Sequence, residues 1–590
     1  MNKRWVQKEQ GNKEAIDRLI KELGVDYQIA NLLVQRGMDN YDKAHRFFRP
    51  NIKDLHDPFL MKDMDKAIER IDTAIDNNEK ILVYGDYDVD GTTSVALMIS
   101  FLRKHHQNIS FYIPDRYEEG YGISYKGIDY AYSNEFTLVI ALDCGIKAVE
   151  KISYASQKQI DFIICDHHLP GDELPEAYAI LDPKRPGDEY PYKELSGCGV
   201  GFKLIQAFSQ VHDKQDPNKP LAQLYEYLDL VAVSIASDIV PITGENRTLA
   251  YYGLKRINQN PRPGLEAILE YSNVKRLPIQ YQSSEQVFNK KLTISDLVFI
   301  IGPRINAAGR MKDAKQSVEL LICNDKMFAQ RIGREINKNN TDRKELDTII
   351  TQHANQIITE GEEFKTRKSI VIYNKNWHKG IIGIVASRLI EKFYKPTIVL
   401  TLSNNGLITG SARSIKNFDI YQAISNCSNL LENFGGHKYA AGLSLKPENL
   451  DSFVQCFEQY ASTHIKDYEL TPEIEIDSEL PLTEITDKFV RILKQFAPFG
   501  PGNAAPVFIS RHVVESGQSR IVGKNHLKFK VAQPDKYHIH FPAIAFQQGH
   551  QQNKLQKMIP FDICYHLEEN HWNGTTTLQL NIKDIKFPND

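Results

Sequence analysis

Carboxylates crowd one short stretch of the chain, Gly85-Asp86-Tyr87-Asp88-Val89-Asp90-Gly91-Thr92-Thr93, where Asp86, Asp88 and Asp90 alternate ahead of a glycine. The opening matches a calcium loop, but an EF-hand starting at Asp86 needs a bidentate Glu at its last position, and that position is Leu97. An EF-hand loop also follows a helix, whereas Lys80-Ile81-Leu82-Val83-Tyr84 reads as a buried strand. Three further segments end in the same residue types: IALDCG supplies Asp143, IICDHH supplies Asp166, His167 and His168, and SIASDIVP supplies Asp238. A lone Asp after a strand is ordinarily a turn former or helix cap. Pooled at one sheet edge, these carboxylates repel one another unless a cation neutralises them, and neutral imidazoles suit transition metals. Several carboxylates with one or two imidazoles and no thiolate favour Mn2+ or Mg2+ over zinc. There are ligands enough for two ions, and two ions about 4 Å apart activate a water and neutralise phosphoryl oxygens, which is phosphoester hydrolysis chemistry.

The elements that must position these groups alternate. A strand to Tyr84 is followed by a helix from Thr92 to about Lys104, on which Val95, Ala96, Met98, Ile99 and Leu102 recur at helical spacing. Strands follow at 110–113 and 138–142, then a helix near 148–157 and strands at 162–165 and 178–181. The alternation predicts a parallel sheet covered on both faces, with ligands gathered at its carboxyl edge. Residues 1–75 read as polar and helical without a usable motif. From Lys326 to about 363 the chain is charged and nearly free of Gly and Pro, which predicts one long helix acting as a solvated connector. A second α/β pattern follows, with strands at 369–373 and 397–400 around a helix at 382–392. After about Asp467, short strand candidates separated by Gly, Pro and Asn suggest a small barrel or sandwich.

A chain of 590 residues is too long for one core, so three or four domains are expected. With 42% hydrophobic and 25% charged residues, the composition is that of an ordinary soluble protein. The N-terminus lacks an apolar signal core, and no run approaches the roughly 20 apolar residues of a membrane span, so a cytoplasmic protein is expected. The seven cysteines are scattered without a CxxC pair and read as reduced packing residues. A net charge of -3 gives no global sign of nucleic-acid binding, although a carboxylate-rich metal site can mask basic patches elsewhere.

GDYDVDG (85–91), LDCG (142–145), CDHH (165–168) and ASDIVP (236–241) together resemble the four motifs of the DHH phosphoesterases. HKGIIGIVASRL (378–389), SARS (411–414) and GGHKYAAG (435–442) resemble the DHHA1 domain associated with them. The order of parts, the form of the first motif and FGPGNAAPVF (499–508) are similar to the single-strand-specific exonucleases of that family. After the helical segment at 1–75, the resemblance implies a parallel-sheet DHH domain at 76–325, a linker helix at 326–363, a smaller α/β DHHA1 domain at 364–466 and an OB-fold-like β domain at 467–590. It implies that Asp86, Asp88, Asp143, His167 and Asp238 bind metal, with Asp143 bridging two Mn2+ or Mg2+ ions. His168 would contact the scissile phosphate or help place the nucleophile, and Asp90 and Asp166 would orient ligands.

For the substrate, Ser411 and Arg413 flank one expected Gly-rich turn, Gly435-Gly436-His437 forms another, and Arg388 closes the helix that follows His378. Small residues let backbone amides approach a phosphate and an Arg fork pairs with its oxygens; because the family's DHHA1 domain binds substrate, the resemblance implies a terminal-phosphate pocket involving Ser411, Arg413 and His437. Arg304, Asn306 and Arg310 in IGPRINAAGR are expected as further phosphate or nucleotide contacts, and Arg116 and Tyr121 would hold the strand by charge and stacking. The activity implied is 5′-to-3′ digestion of single-stranded DNA to 5′-mononucleotides in repair and recombination. Two α/β domains with a cleft between them would admit one strand and exclude a duplex. Single-strand-binding protein and a RecQ-type helicase are partners implied by the family, and a monomer is expected. The rivals are a DHH/DHHA1 phosphodiesterase of short oligonucleotides or cyclic dinucleotides, which leaves the residues after Asp467 without a task, and a non-catalytic nucleic-acid-binding scaffold, which would require missing ligands.

Overall fold

The computed structural model describes residues 3–213, 221–311, 313–557, 559–572 and 575–588. The chain divides into two compact units. One comprises residues 5–309, 313–336 and 475–590, and the other comprises 1–4, 310–312 and 337–474.

The first unit is built on five parallel strands: β1 (Lys80–Gly85), β2 (Ile109–Tyr112), β3 (Phe136–Leu142), β4 (Asp161–Cys165) and β5 (Ala179–Leu181). Their order is β2-β1-β3-β4-β5. Alternation sorts the side chains by face, because successive residues of a strand point to opposite sides. Ile81, Val83, Leu138, Ile140 and Ile163 enter one core, while Leu82, Tyr84, Val139, Ala141 and Ile164 enter another. Both faces are therefore covered, as the continuous apolar runs require. The first core is closed by α1 (Val89–Leu102), α2 (Gly197–His212) and α3 (Leu228–Ser237), all largely buried. Strand order reverses beside β1, so the carboxyl ends of β1 and β3 open the crevice in which such sheets hold ligands.

The residues after 475 form a β structure in which strands 508–515, 561–572, 575–586, 536–545 and 526–533 pair in succession. Val514 and Glu515 then pair with Ala532 and Val531, which closes the circuit into a five-stranded barrel of OB type. Ile16, Leu19, Ile29, Leu32, Leu33 and Phe47 share one core with the barrel residues Phe508, Phe529, Val531, Ile563 and Leu580. The polar N-terminal helices thus bury their apolar stripe on the C-terminal module.

The long helix is α4 (Lys326–Glu360). The sequence predicts a solvated connector here, but the helix carries a buried stripe: Ala329, Ile332 and Ile336 join the core of the first unit, and Ile350, Ala354 and Ile358 join a core of the second. In the second unit β6 (Ile370–Tyr373), α5 (Ile382–Phe393), β7 (Thr397–Leu402), β8 (Ile408–Arg413), β9 (Asn433–His437) and β10 (Ala440–Leu445) give a sheet of order β9-β10-β8-β7-β6. Cys427 and Cys456, expected as reduced packing residues, are joined as a disulfide at a Cα separation of 6.2 Å, while Cys144, Cys165, Cys198, Cys323 and Cys564 stay outside any disulfide. Spacing alone could not bring together two residues 29 positions apart. Among the described residues, no helix is long and apolar enough to cross a membrane.

Candidate active site

β1 ends at Gly85 and delivers Asp86 into the crevice, wholly buried. Its Oδ1 accepts from Gly122 N at 3.2 Å, and its Oδ2 has no hydrogen-bond partner. Burial, followed by the charge of Asp88, drives the Asp86 carboxyl well above its ordinary range. Asp88 caps α1 by accepting from Gly91 N at 3.0 Å, and burial together with Asp90 raises its carboxyl too. Asp90, in the first turn of α1, has both oxygens engaged. Oδ2 accepts from Gly197 N at 2.7 Å, and Oδ1 accepts from Cys198 N at 2.8 Å and Ser234 Oγ at 2.7 Å. A carboxylate at the N-terminus of α2 meets donors aligned with the helix dipole, which welds α1, α2 and α3 together under the crevice.

β3 delivers Asp143, which is 2% exposed and has φ 60°, a left-handed conformation that Asp tolerates better than most residues. Its carboxyl is driven well above the ordinary range by burial and by Asp90, Asp88, Asp238 and Asp166 around it. Gly197 touches it: a Cβ at that position would lie 2.6 Å from Asp143 Cβ and 2.7 Å from Oδ1, so only glycine fits. The sequence shows Asp238 only as an acidic residue after an apolar run; that run is the buried helix α3, which periodicity cannot tell from a buried strand, and Asp238 caps its C-terminus. Burial, Asp90 and Asp88 push its carboxyl up to about 8.

β4 delivers Asp166, His167 and His168 in turn. Asp166 accepts from Ile146 N at 3.0 Å, His167 N at 2.8 Å and His168 Nδ1 at 2.7 Å. Burial opposes its charge, but the His168 contact outweighs it and holds the carboxyl down at about 2. Burial acts against the charged His168 as well, yet Asp166 holds its imidazolium up to about 9. His167, 5% exposed, has no hydrogen-bond partner at either ring nitrogen. Its Nε2 faces Asp143 Oδ1 at 3.2 Å, Asp238 Oδ2 at 3.5 Å and Asp90 Oδ2 at 3.8 Å, and burial lowers its basicity, which keeps the ring a neutral donor. Among the described residues, two triads have atoms close enough to share an ion, Asp143/His167/His168 and Asp90/His167/Asp238. Asp86 and Asp88 stand outside these triads, but Asp88 is among the charges that act on both Asp143 and Asp238.

The cluster fits divalent cations on its own terms. Buried carboxylates that repel one another, an Asp86 oxygen without a partner and an imidazole with two bare nitrogens are costly in a folded protein unless a cation completes them. Oxygen donors with one or two imidazoles suit Mn2+ or Mg2+.

Around the cluster, Tyr121 donates to the Asp143 carbonyl at 3.2 Å and meets His168 Nε2 at 3.3 Å, with its ring edge-on to Tyr87. Arg116 lies over the Tyr87 ring at 4.7 Å and acts electrostatically on Asp86 and Asp88. Arg304, expected at a phosphate, is buried and donates to the Ile300 carbonyl at 2.8 Å. Its neighbour Asn306 is half-buried, and Arg310 donates to the Gly380 carbonyl at 2.7 Å. Sequence inspection passes over Asp182, wholly buried after β5 with Oδ2 unpartnered and its carboxyl pushed up to about 7 by burial, and over Gly197. LDP after an apolar run signals the first, whereas nothing local signals the second.

In the second unit, Ser411 pairs with Gly442, which pairs with Gly435, and Arg413 pairs with Ala440, which pairs with His437. Ser411, Arg413 and His437 therefore share one face over a floor of small residues. Gly435-Gly436-His437, expected as a turn, is an exposed edge strand, because its carbonyls and amides pair with β10 and the reversal falls at Lys438-Tyr439. Arg413 donates to Ser411 Oγ at 3.0 Å. His378 Nδ1 accepts from Gly380 N at 3.1 Å, and Arg388 is engaged by the buried Asp347 at 2.6 Å, which leaves it bound to α4.

The sheet, its Asp/His edge and the second α/β unit define a DHH phosphoesterase carrying a DHHA1 domain. Family models match accordingly: the DHH family N-terminal domain over 80–235, the DHHA1 domain over 367–463 and the RecJ OB domain over 476–584. The single-stranded-DNA-specific exonuclease RecJ of Bacillus subtilis (strain 168) is 34% identical over 97% of this chain and 70% of its own length. RecJ of Salmonella typhimurium is 34% identical over 88% of this chain and 90% of its own. The chain belongs to the RecJ family of single-stranded-DNA-specific exonucleases. Among solved structures, RecJ of Thermus thermophilus in complex with Mn2+ shares the fold at a TM-score of 0.81 and 24% identity, over 99% of this chain and 80% of that one. An exonuclease RecJ bound to manganese matches at a TM-score of 0.57 and 28% identity, over 69% of this chain and 96% of that one.

Proposed function

We propose that this chain digests single-stranded DNA from its 5′ end, releasing 5′-mononucleotides, at the cluster formed by Asp86, Asp88, Asp143, His167 and Asp238. The observation that carries this is His167, a buried imidazole with two bare nitrogens, of which Nε2 faces Asp143 and Asp238. Two divalent cations, Mn2+ or Mg2+ as in the related structures, supply an activated water and neutralise the phosphoryl oxygens when bound. Asp143, on which the charges of Asp90, Asp88, Asp238 and Asp166 all act, would serve both ions. Asp90 and Asp166 spend their oxygens on backbone amides and His168, so they fix geometry. His168 is held as a cation by Asp166 at the solvent side of the cluster, where it can pair with a phosphate oxygen and keep a proton at Nε2. Arg116 and the exposed ring of Tyr121 grip the strand beside the cluster by charge and stacking.

Ser411, Arg413 and His437 form the anchor for the terminal phosphate. The closed barrel offers the exposed Lys524, Tyr537 and His538 to a single strand. The protein acts in the cytoplasm in repair and recombination, with single-strand-binding protein and a RecQ-type helicase as partners proposed on family grounds. One digestion series tests the function: single-stranded DNA labelled at 5′ or 3′, and duplex, each with Mn2+ or Mg2+. Early release of labelled mononucleotide from 5′-labelled single strands is expected; early release from the 3′ label would overturn the polarity.

A further inference from the structure

Asp238 caps α3 and opens the loop that leads to the next helix. The next residue, Ile239, has φ 60° and is 65% exposed. A β-branched side chain in the left-handed region is strained, and such a conformation persists only where its surroundings impose it. Burial of Ile239 itself supplies nothing, so the restraint must come from the rest of the loop before the next helix begins at Gly244.

That loop meets the turn Phe499-Gly500-Pro501-Gly502-Asn503, which precedes the barrel. Ile242 N donates to the Pro501 carbonyl at 2.7 Å. The two chain segments meet so closely that a Cβ on Gly500 would lie 2.5 Å from Ile242 Cγ1, and one on Gly502, which has φ 71°, would lie 2.9 Å from Thr243 Cγ2. Gly500 and Asn503 exchange backbone hydrogen bonds at 3.0 Å, and the buried Asn503 side chain donates to the Phe496 and Pro498 carbonyls at 2.8 and 2.9 Å. Its Oδ1 accepts from Arg36 Nε at 3.0 Å. From the other side, the buried Arg247 donates to the carbonyls of Phe47, Phe496 and Ala497. One guanidinium thus ties the helix after the Asp238 loop to the residues that lead into the turn and to the N-terminal helices.

We propose that the FGPGN turn positions Asp238 for metal binding, with Gly500 and Asn503 as positioning residues, so that the C-terminal module completes the metal site as well as offering a surface to DNA. This rests on the assignment of Asp238 to the metal, and the two can fail separately. Outer supports of this kind change metal affinity by about 10–100-fold.

The test measures Mn2+ binding by calorimetry, and the Mn2+ dependence of hydrolysis, in the full-length protein, Asp238→Ala, Gly500→Ala and Asn503→Ser. Gly500→Ala should weaken Mn2+ binding about tenfold and raise the half-saturating Mn2+ concentration equally, with single-strand binding in EDTA unchanged. Adding Ile242→Ala, which removes the atoms a new Cβ would strike, should restore both. Should Gly500→Ala not fold, Asn503→Ser reports the same shift in a variant that adds no bulk. If Asp238→Ala leaves Mn2+ binding intact, the metal assignment fails; if Asp238→Ala weakens it while neither turn variant does, the positioning role alone is overturned.

Discussion

Asp166 Oδ1 lies 2.7 Å from His168 Nδ1, and this contact sets the charge of both residues. The ordinary imidazole titrates near about 6.5, so a folded value of about 9 means that His168 contributes stability that is fully present below about 6.5 and lost as pH rises through about 9. Asp166→Asn should return the His168 titration, followed by NMR in the metal-free protein, to the ordinary range. It should also draw the alkaline limb of hydrolysis downward by at least one pH unit. A His168 titration unchanged in Asp166→Asn would contradict the pairing.

The metal-free cluster should cost stability. Asp86, Asp143 and Asp238 all have folded values above the ordinary carboxylate range, Asp238 at about 8, so the unfolded chain sheds these protons first. Stability of the metal-free protein should therefore fall as pH rises from about 4 to about 8. Asp143→Asn should raise its Tm by a few degrees, roughly 2–4 °C per kcal/mol relieved. Mn2+ should raise the Tm of the unmodified protein and much less that of the variant, as thermal melts with and without EDTA would report.

Gly197→Ala should silence the enzyme without unfolding it. The added methyl must displace the Asp143 side chain, and misplacing a reacting group by about 1 Å costs on the order of a hundredfold in rate. Circular dichroism should stay native while kcat falls by about that factor.

Arg413→Ala should act on the substrate's end. Loss of a charge-assisted bond is worth about 1.5–3 kcal/mol, so preference for a 5′-phosphate over a 5′-hydroxyl strand should fall by roughly tenfold or more. Binding to the interior of a long strand should be little altered, which competition between the two strand types would show.

Much of the catalytic sheet was legible because its signals are local. An apolar run with β-branched residues ends in carboxylates at Tyr84-Gly85-Asp86, Leu142-Asp143 and Cys165-Asp166, and each run is a strand of the parallel sheet. What stayed hidden depends on approach between distant segments. Gly197 is needed only because Asp143 comes to it, and Gly500 only because Ile242 does. The polar look of residues 13–48 concealed a stripe, Ile16, Leu19, Ile29, Leu33 and Phe47, whose partner is a barrel more than 450 residues further on. The support of Asp238 stayed unassigned because α3, buried all round, has no polar face to reveal its period. The GGH segment looked like a turn because glycines signal turns, yet here they keep an edge strand bare.

The most direct measurement is digestion of a 5′-labelled single strand with Mn2+ by the unmodified protein and by Asp143→Ala. The cluster requires rapid release of labelled mononucleotide by the former, and loss of that release in a variant that keeps its fold and still binds single strands in EDTA. Full hydrolysis by Asp143→Ala, or equal digestion of blunt duplex by the unmodified protein, would contradict it.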